Sequence, residues 1–281
     1  MKILDGQVHV WPPDRPDRRL GPGHEERTPY SYQELLADMQ VAGVDRAILV
    51  PPTIDADRND YVIEAVRTHP DRFAIMGRVP LKTAAGKDAL KRWREQPGML
   101  GVRVTFHRDA DRPWITDGTA DWFWPEAERH GIPVMVHAPE RLAEVGTIAA
   151  RHPALTLIVD HMGFARATMD DKTGPAVERM IALAKYPNVC VKVSAMPAFS
   201  TEPYPFRNLR EPLQRVIEAF GPRRSFWASD ITRIPKSCSY RQVVTHFTEE
   251  LDFLSADDIT WIMGRGLAQC LRWQIAGAPA A

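Results

Sequence analysis

The stretch KILDGQVHVWPPDRPDRRLGPGHEERTP, residues 2–29, decides the fold. Its first part reads as a strand in which Gln7, His9 and Trp11 fall at every second position, so Gln7 and His9 share one face. Its second part is the turn that follows a first strand. In an open, doubly wound sheet that turn would carry a glycine-rich phosphate loop. Here it is long, rich in proline and arginine, and has no GxGxxG. An open nucleotide-binding sheet is therefore the weaker reading, and a closed ring of strands the stronger.

The rest of the chain repeats the alternation. Apolar, β-branched runs occur at 46–52 (RAILVPP), 73–79 (FAIMGRV), 101–107 (GVRVTFH), 133–139 (PVMVHAP), 155–161 (LTLIVDH), 189–195 (VCVKVSA) and 224–230 (RSFWASD). With the opening strand they make eight. Helical patterns lie between them, at about 59–69, 84–96, 121–131, 140–152, 174–186 and 209–220, with two more at 240–253 and 256–272. The first helix, SYQELLADMQVAG, opens on a capping box of Ser31 and Glu34 and closes on Gly43; Ser255 and Asp258 make a second box for the last helix. Strict alternation implies parallel strands with right-handed crossovers. Eight units in one chain of this size predict a single (β/α)8 barrel spanning 1–281, with extra C-terminal helices. Residues 12–30 are expected to form a long loop that could serve as a lid, and 274–281 a frayed tail.

Bulk properties narrow the function. The 281 residues are 44% hydrophobic and 26% charged, ordinary for a globular domain with a sizeable core. Lys plus Arg equals Asp plus Glu, 36 each, so no overall field favours nucleic acid or an anionic membrane. Three scattered cysteines without a CxxC pair speak against a disulfide framework or thiolate zinc site and fit a reducing, cytoplasmic setting. No leader pattern and no run of about 18 apolar residues is read. The expected partner is a small molecule, not nucleic acid or membrane, and a homodimer is compatible with the pattern.

In a barrel of this type the reactive groups gather at the carboxyl ends of the strands. The strand ends supply Gln7 and His9, Arg103 with Thr105 and His107, His137, His161, Lys192 with Ser194, and Asp230. One histidine at a strand end is more often structural than catalytic. Three at separate strand ends together with an aspartate point to a site. Imidazoles and a carboxylate can hold a catalytic zinc. The same groups can work without metal, an aspartate acting as base while other groups polarise a carbonyl. Spacing alone does not separate the two.

Four motifs in register, DGQVHVW, VMVHAPE, LIVDHMG and FWASDI, resemble the amidohydrolase superfamily. GVDRAILVPP, DRNDYVIEAVRTHPDRFAIMGRV and GVRVTF are similar to its amidohydrolase-2 branch, which includes 2-pyrone-4,6-dicarboxylate lactonase, sugar lactonases and aromatic-acid decarboxylases. The resemblance implies that His9, His137, His161 and Asp230 are the catalytic set. Gln7 departs from it, standing where the family usually carries the first histidine of an HxH motif. An amide oxygen is a poorer partner for zinc than an imidazole nitrogen. The expectation is thus no obligatory metal, with one divalent ion such as zinc, held by His9, His137 and Asp230, as the alternative.

The expected activity is hydrolysis of a lactone or related cyclic ester or amide of an acidic or oxygenated small molecule, with Asp230 as general base. An aspartate is ordinarily ionised at neutral pH and can return the proton it takes to the leaving alkoxide. Arg103 is expected to hold a substrate carboxylate through its planar fork, though it could instead pair with a buried acid. Gln7, His107, Trp11, Lys192 and Arg233 complete the candidate substrate contacts; Lys192 could equally snorkel out of the core. The competing readings are a metal-dependent decarboxylase of an aromatic acid and a non-catalytic ligand-binding barrel.

Overall fold

The structure, a computed structural model, describes residues 1–21 and 27–273. Among them, eight parallel strands pair in sequence order: β1 (Leu4–Val8), β2 (Arg46–Leu49), β3 (Phe73–Gly77), β4 (Met99–Thr105), β5 (Val134–His137), β6 (Leu157–Val159), β7 (Val189–Ser194) and β8 (Ser225–Ala228). Helices α1 (Tyr32–Ala42), α2 (Asp60–Thr68), α3 (Ala84–Lys91), α4 (Phe123–Arg129), α5 (Leu142–Arg151), α6 (Thr173–Ile181) and α7 (Arg210–Phe220) fill the first seven crossovers. Three short helices, α8 (Tyr240–Thr245), α9 (Ala256–Thr260) and α10 (Gly266–Leu271), follow β8. The architecture is a (β/α)8 barrel. No helix of the described residues is long and apolar enough to cross a membrane.

Period-two alternation sorts the strands into two apolar clusters. Leu4, Ile48, Ala74, Met76, Met135, Ile158, Cys190 and Phe226 form one, inside the ring, and Leu267, Ala268 and Leu271 of α10 join it from below. Their neighbours in sequence, such as Ala47, Leu49, Ile75, Val134 and Val191, belong to the other cluster, which faces the helices. Strands buried on both sides are what a parallel barrel requires. Both expected capping boxes form, at Ser31 with Glu34 and at Ser255 with Asp258. Gly43 takes the left-handed turn at the end of α1, with φ 80°.

The ring closes between β8 and β1 by an unusual device. The Asp230 N–H donates to the Gln7 carbonyl at 3.1 Å. Beside it, the buried Asp5 carboxylate accepts the N–H of Gln7 and of Ser229, each at 3.0 Å, and the hydroxyl of Tyr240 at 2.6 Å. The side chain thus bridges the two strands. A Cβ on Gly6 would lie 2.8 Å from the Trp227 carbonyl oxygen, so only glycine permits this approach.

Of the long loop, 12–21 is described and 22–26 is not; the expected tail at 274–281 also lies outside the described residues. The described part is tied down. The buried Arg18 guanidinium pairs with Asp55 and Asp60, and the Gly21 N–H donates to the Ile54 carbonyl at 2.7 Å.

Candidate active site

Each inward position along the strands lies one pleat above the last, and near the carboxyl ends the inward residues change from apolar to polar. Strand β4 carries Arg103 and Thr105, β7 carries Lys192 and Ser194, and β5 ends on His137. The expected strands at 155–161 and 224–230 stop earlier than their sequence pattern suggests. His161 and Asp230 lie in tight turns past β6 and β8, both in the left-handed region, with φ 53° and 48°. A non-glycine residue there costs about 1–2 kcal/mol. The turns aim both side chains back over the ring.

Asp230 stands between two imidazoles. Its Oδ1 lies 3.4 Å from His9 Nε2, and its Oδ2 lies 3.5 Å from His161 Nε2. His161 Nδ1 is 2.8 Å from the Ser194 hydroxyl. The His137 ring centroid is 5.3 Å from that of His161 and 4.8 Å from that of His107, making a row of three imidazoles. The four residues expected to form the catalytic set therefore meet at one mouth of the barrel, and His107 extends them.

Burial, together with a surplus of fixed positive charge, keeps these imidazoles neutral. Burial pushes the His9 and His107 pKa values down to about 4; for His9 it overrides the neighbouring Asp230 carboxylate, which pulls the other way, and Arg103 adds to the lowering of both. His137 and His161 are held well below the usual histidine range, again by burial first, then by Arg103 and His107 for His137 and by Arg233 and His137 for His161. Neutral imidazoles can accept hydrogen bonds or bind a cation; they do not carry charge to a substrate.

One pleat deeper is a network of charges. Arg103 Nε donates to Asp160 Oδ2 at 3.1 Å and its Nη1 to Thr105 Oγ1 at 2.8 Å. The Lys192 ammonium lies 2.7 Å from Asp160 Oδ1 and donates to Gln7 Oε1. Burial pushes the Asp160 carboxyl up, but Lys192 and Arg103 outweigh it and hold the group ionised. Lys192 does not snorkel; it is wholly buried. Two members of the surroundings were absent from the sequence expectations. Asp160 follows Ile158 by two residues on an inward-facing strand, and Arg78 follows Met76 in the same way after β3, so period two signalled both. Arg78 is buried, donates to the Pro51 carbonyl at 2.8 Å, and is lowered by burial and by Arg103 to about 9.

Arg233 reaches the same mouth from the turn after β8, its guanidinium 4.9 Å from the Phe199 ring centroid. Trp11 belongs to a small apolar cluster. It packs with Leu20, Ile54 and Tyr30, under the Arg27 guanidinium at 4.8 Å.

Three buried polar atoms at the mouth have no hydrogen-bond partner: His107 Nδ1, His137 Nδ1 and Asp230 Oδ1. His137, Asp160 and His161 also bring ligand-type atoms within 4.8 Å of one another. Two imidazoles, one with an unpaired nitrogen, and a carboxylate make a donor set that fits a divalent cation. The sequence expectation of no obligatory metal therefore gains no support. The grouping differs from the expected His9, His137 and Asp230, because Asp160 sits immediately before His161 at the top of β6.

Comparison with known proteins agrees with this geometry. A protein-family model described as Amidohydrolase matches residues 4–265. The L-fucono-1,5-lactonase of Burkholderia multivorans is 25% identical over 95% of both chains. Among solved structures, a zinc-bound amidohydrolase from Burkholderia multivorans superposes with a TM-score of 0.81 at 22% identity, covering 97% of this chain and 99% of that one. A probable 2-pyrone-4,6-dicarboxylic acid hydrolase from Acinetobacter baumannii, with citric acid bound, gives 0.77 at 17% identity over 97% and 100%.

Proposed function

The chain belongs to the amidohydrolase family, and from that premise we propose that it is a hydrolase that opens a lactone ring of an acidic or polyhydroxylated small molecule, with Asp230 as the base. The observation that carries this reading is the placement of the Asp230 carboxylate between His9 and His161, 3.4 and 3.5 Å from their Nε2 atoms, with Oδ1 unpaired. A buried carboxylate oxygen without a partner is a place for a water molecule to bind and be oriented. The lactonase name of a full-length relative supports the substrate class.

In this mechanism Asp230 takes a proton from water as the water oxygen bonds to the lactone carbonyl carbon. The ring carbon–oxygen bond then breaks, and Asp230 returns the proton to the departing alkoxide. The product is an open-chain hydroxy acid. His9 stands 3.4 Å from Asp230 Oδ1 with its Nε2 lone pair facing the Gln7 amide, so it walls the place of the water, while His161, braced by Ser194, fixes the other carboxylate oxygen. Arg233, and Arg103 beneath, supply the positive field that favours the oxyanion and an acidic substrate. A divalent ion, when held by His137 and His161 with a carboxylate, would polarise the carbonyl as a Lewis acid.

The test is Asp230→Asn against a panel of aldono- and pyrone-lactones, run with and without added zinc. Loss of a positioned base is expected to lower turnover by about 10²–10⁴-fold while the unfolding midpoint stays put. Turnover within threefold of the unaltered enzyme would remove Asp230 from this role.

A further inference from the structure

Gln7 and Lys192 together carry a consequence that neither has alone. The Lys192 side chain is fully buried. Its ammonium donates to Gln7 Oε1, lies 2.7 Å from Asp160 Oδ1 and 3.2 Å from Met135 Sδ. An ammonium has three protons and no lone pair, so the Gln7 atom facing it must be the oxygen. The Gln7 amide nitrogen then points the other way, where it lies 3.3 Å from His9 Nε2. On the far side of that ring, His9 Nδ1 is 2.7 Å from the Val50 carbonyl oxygen, which can only accept. His9 must carry its proton on Nδ1, and Nε2 must be the bare nitrogen that accepts from Gln7. Donors and acceptors thus run in one direction, from Lys192 through Gln7 to His9 and on to Val50.

We propose that Lys192 is a positioning residue that, acting through Gln7, sets His9 as the Nδ1–H tautomer and withholds strand β1 from cation binding. The only acceptor atom of Gln7 faces the ammonium, whose fixed positive charge repels a second cation from its remaining lone pair, and the group that Gln7 turns toward the mouth is a donor. A divalent ion bound here would be held from the end of β5 and the turn after β6, by His137, Asp160 and His161, without Gln7. The claim goes beyond the hydrolytic reading and is independent of which ring the enzyme opens. It also assigns a function to a charge buried in the barrel with no direct access to the mouth. A lysine kept merely to balance Asp160 would have no bearing on the tautomer of His9 or on how position 7 treats a metal.

Two measurements test it on the full chain. Nitrogen-15 spectra of histidine-labelled protein near pH 7 are expected to show His9 with Nδ1 protonated and Nε2 bare; the opposite tautomer, or a mixture, overturns the proposal. Calorimetric titration of chelator-treated protein with zinc ion alone then compares the unaltered chain, Gln7→His, and Gln7→His combined with Lys192→Gln, which keeps a donor for Asp160. An imidazole at position 7 must still spend its lone pair on Lys192, so Gln7→His is expected to change the zinc dissociation constant by less than threefold. Removing the ammonium as well is expected to tighten it at least tenfold. Equal tightening by the single variant, or none by the folded double variant, refutes the guarding role. The Val50 carbonyl favours the same tautomer by itself, so the tautomer read on the unaltered protein can overturn the proposal even where a variant fails to fold, while the part played by Lys192 is read from the zinc titration of the folded double variant.

Discussion

The mouth of the barrel and the layer one pleat beneath it are built from the same kinds of residue on opposite terms. Beneath, Arg103, Asp160, Lys192 and Gln7 are joined by short polar contacts, and each charge lies against an opposite one, although Asp160 Oδ1 meets the Lys192 ammonium as an ion pair without an aligned hydrogen bond. At the mouth, His107, His137 and Asp230 each leave a buried polar atom unpaired. A buried polar group without a partner costs about 1–3 kcal/mol. The lower layer is support; the upper layer holds unmet bonding capacity that a water, an ion or a substrate can meet. The difference teaches how to read polar residues inside a barrel: the paired ones organise, and the unpaired ones receive.

The largest expected effect that tests this contrast is acid sensitivity of the upper layer. His9, His137 and His161 are neutral in the fold because burial lowers their pKa values, that of His9 to about 4. The unfolded chain takes up protons near pH 6.5, and the folded chain does not. The stability these groups supply is present above pH 6.5 and is lost as pH falls toward 4. Each contributes up to about 1.4 kcal/mol per pH unit. Unfolding free energies from urea titrations are expected to drop steeply between pH 6.5 and 4.5, by several kcal/mol in total. A flat profile over that range would mean the imidazoles are solvated, and the contrast between layers would collapse.

Next in size is the loss of a partner in the lower layer. Lys192→Met leaves Asp160 buried with Arg103 alone, and removing one member of a buried ion pair costs about 3–5 kcal/mol. The measurement is equilibrium unfolding at pH 7. A change below about 1 kcal/mol would place Lys192 among groups that water can reach, and the lower layer would no longer differ from the upper.

Much of this arrangement could be read from the sequence, and the parts that could not share a physical reason. The eight strands, the capping boxes at Ser31 and Ser255, and the convergence of His9, His137, His161 and Asp230 follow from local patterns: period two, period 3.6 and cap chemistry. Where β6 and β8 end did not follow. His161 and Asp230 continue the apolar runs in sequence while the backbone has already turned left-handed, and no side-chain pattern announces that turn. Asp160 and Arg78 were legible by period two, because each sits two residues beyond an inward apolar residue. Their pairing was not, since Asp160 meets Arg103 across 57 residues of chain. Lys192 illustrates the same limit: alone it reads as a residue that could snorkel, and only its contacts with Gln7 and Asp160 show why it stays inside.

The smallest expected effect lies at the seam and has the opposite sign to the first. Asp5 is buried between β1 and β8, and burial raises its carboxyl from 3.8 to about 6 despite the bonds from Ser229, Tyr240 and Gln7 that pull it down. In the fold it keeps its proton up to about pH 6; in the unfolded chain it loses it near 3.8. Its contribution to stability is therefore complete below pH 3.8 and disappears as pH rises through 6, whereas the imidazole contribution grows over much of the same range. Asp5→Asn removes the titration and retains an oxygen acceptor for the Gln7 and Ser229 N–H groups. The stability of the unaltered protein minus that of the variant is expected to fall by about 2.4 kcal/mol between pH 4 and pH 7. Parallel unfolding series at several pH values read this difference directly. A constant difference would show that the carboxyl is ionised in the fold throughout, and that the seam is closed by a charged group of the same paired kind as Asp160. A falling difference places a clasp two residues from Gln7 that is uncharged below about pH 6 and takes up its charge above it, so that the strand carrying Gln7 and His9 is held to β8 best when the carboxyl keeps its proton.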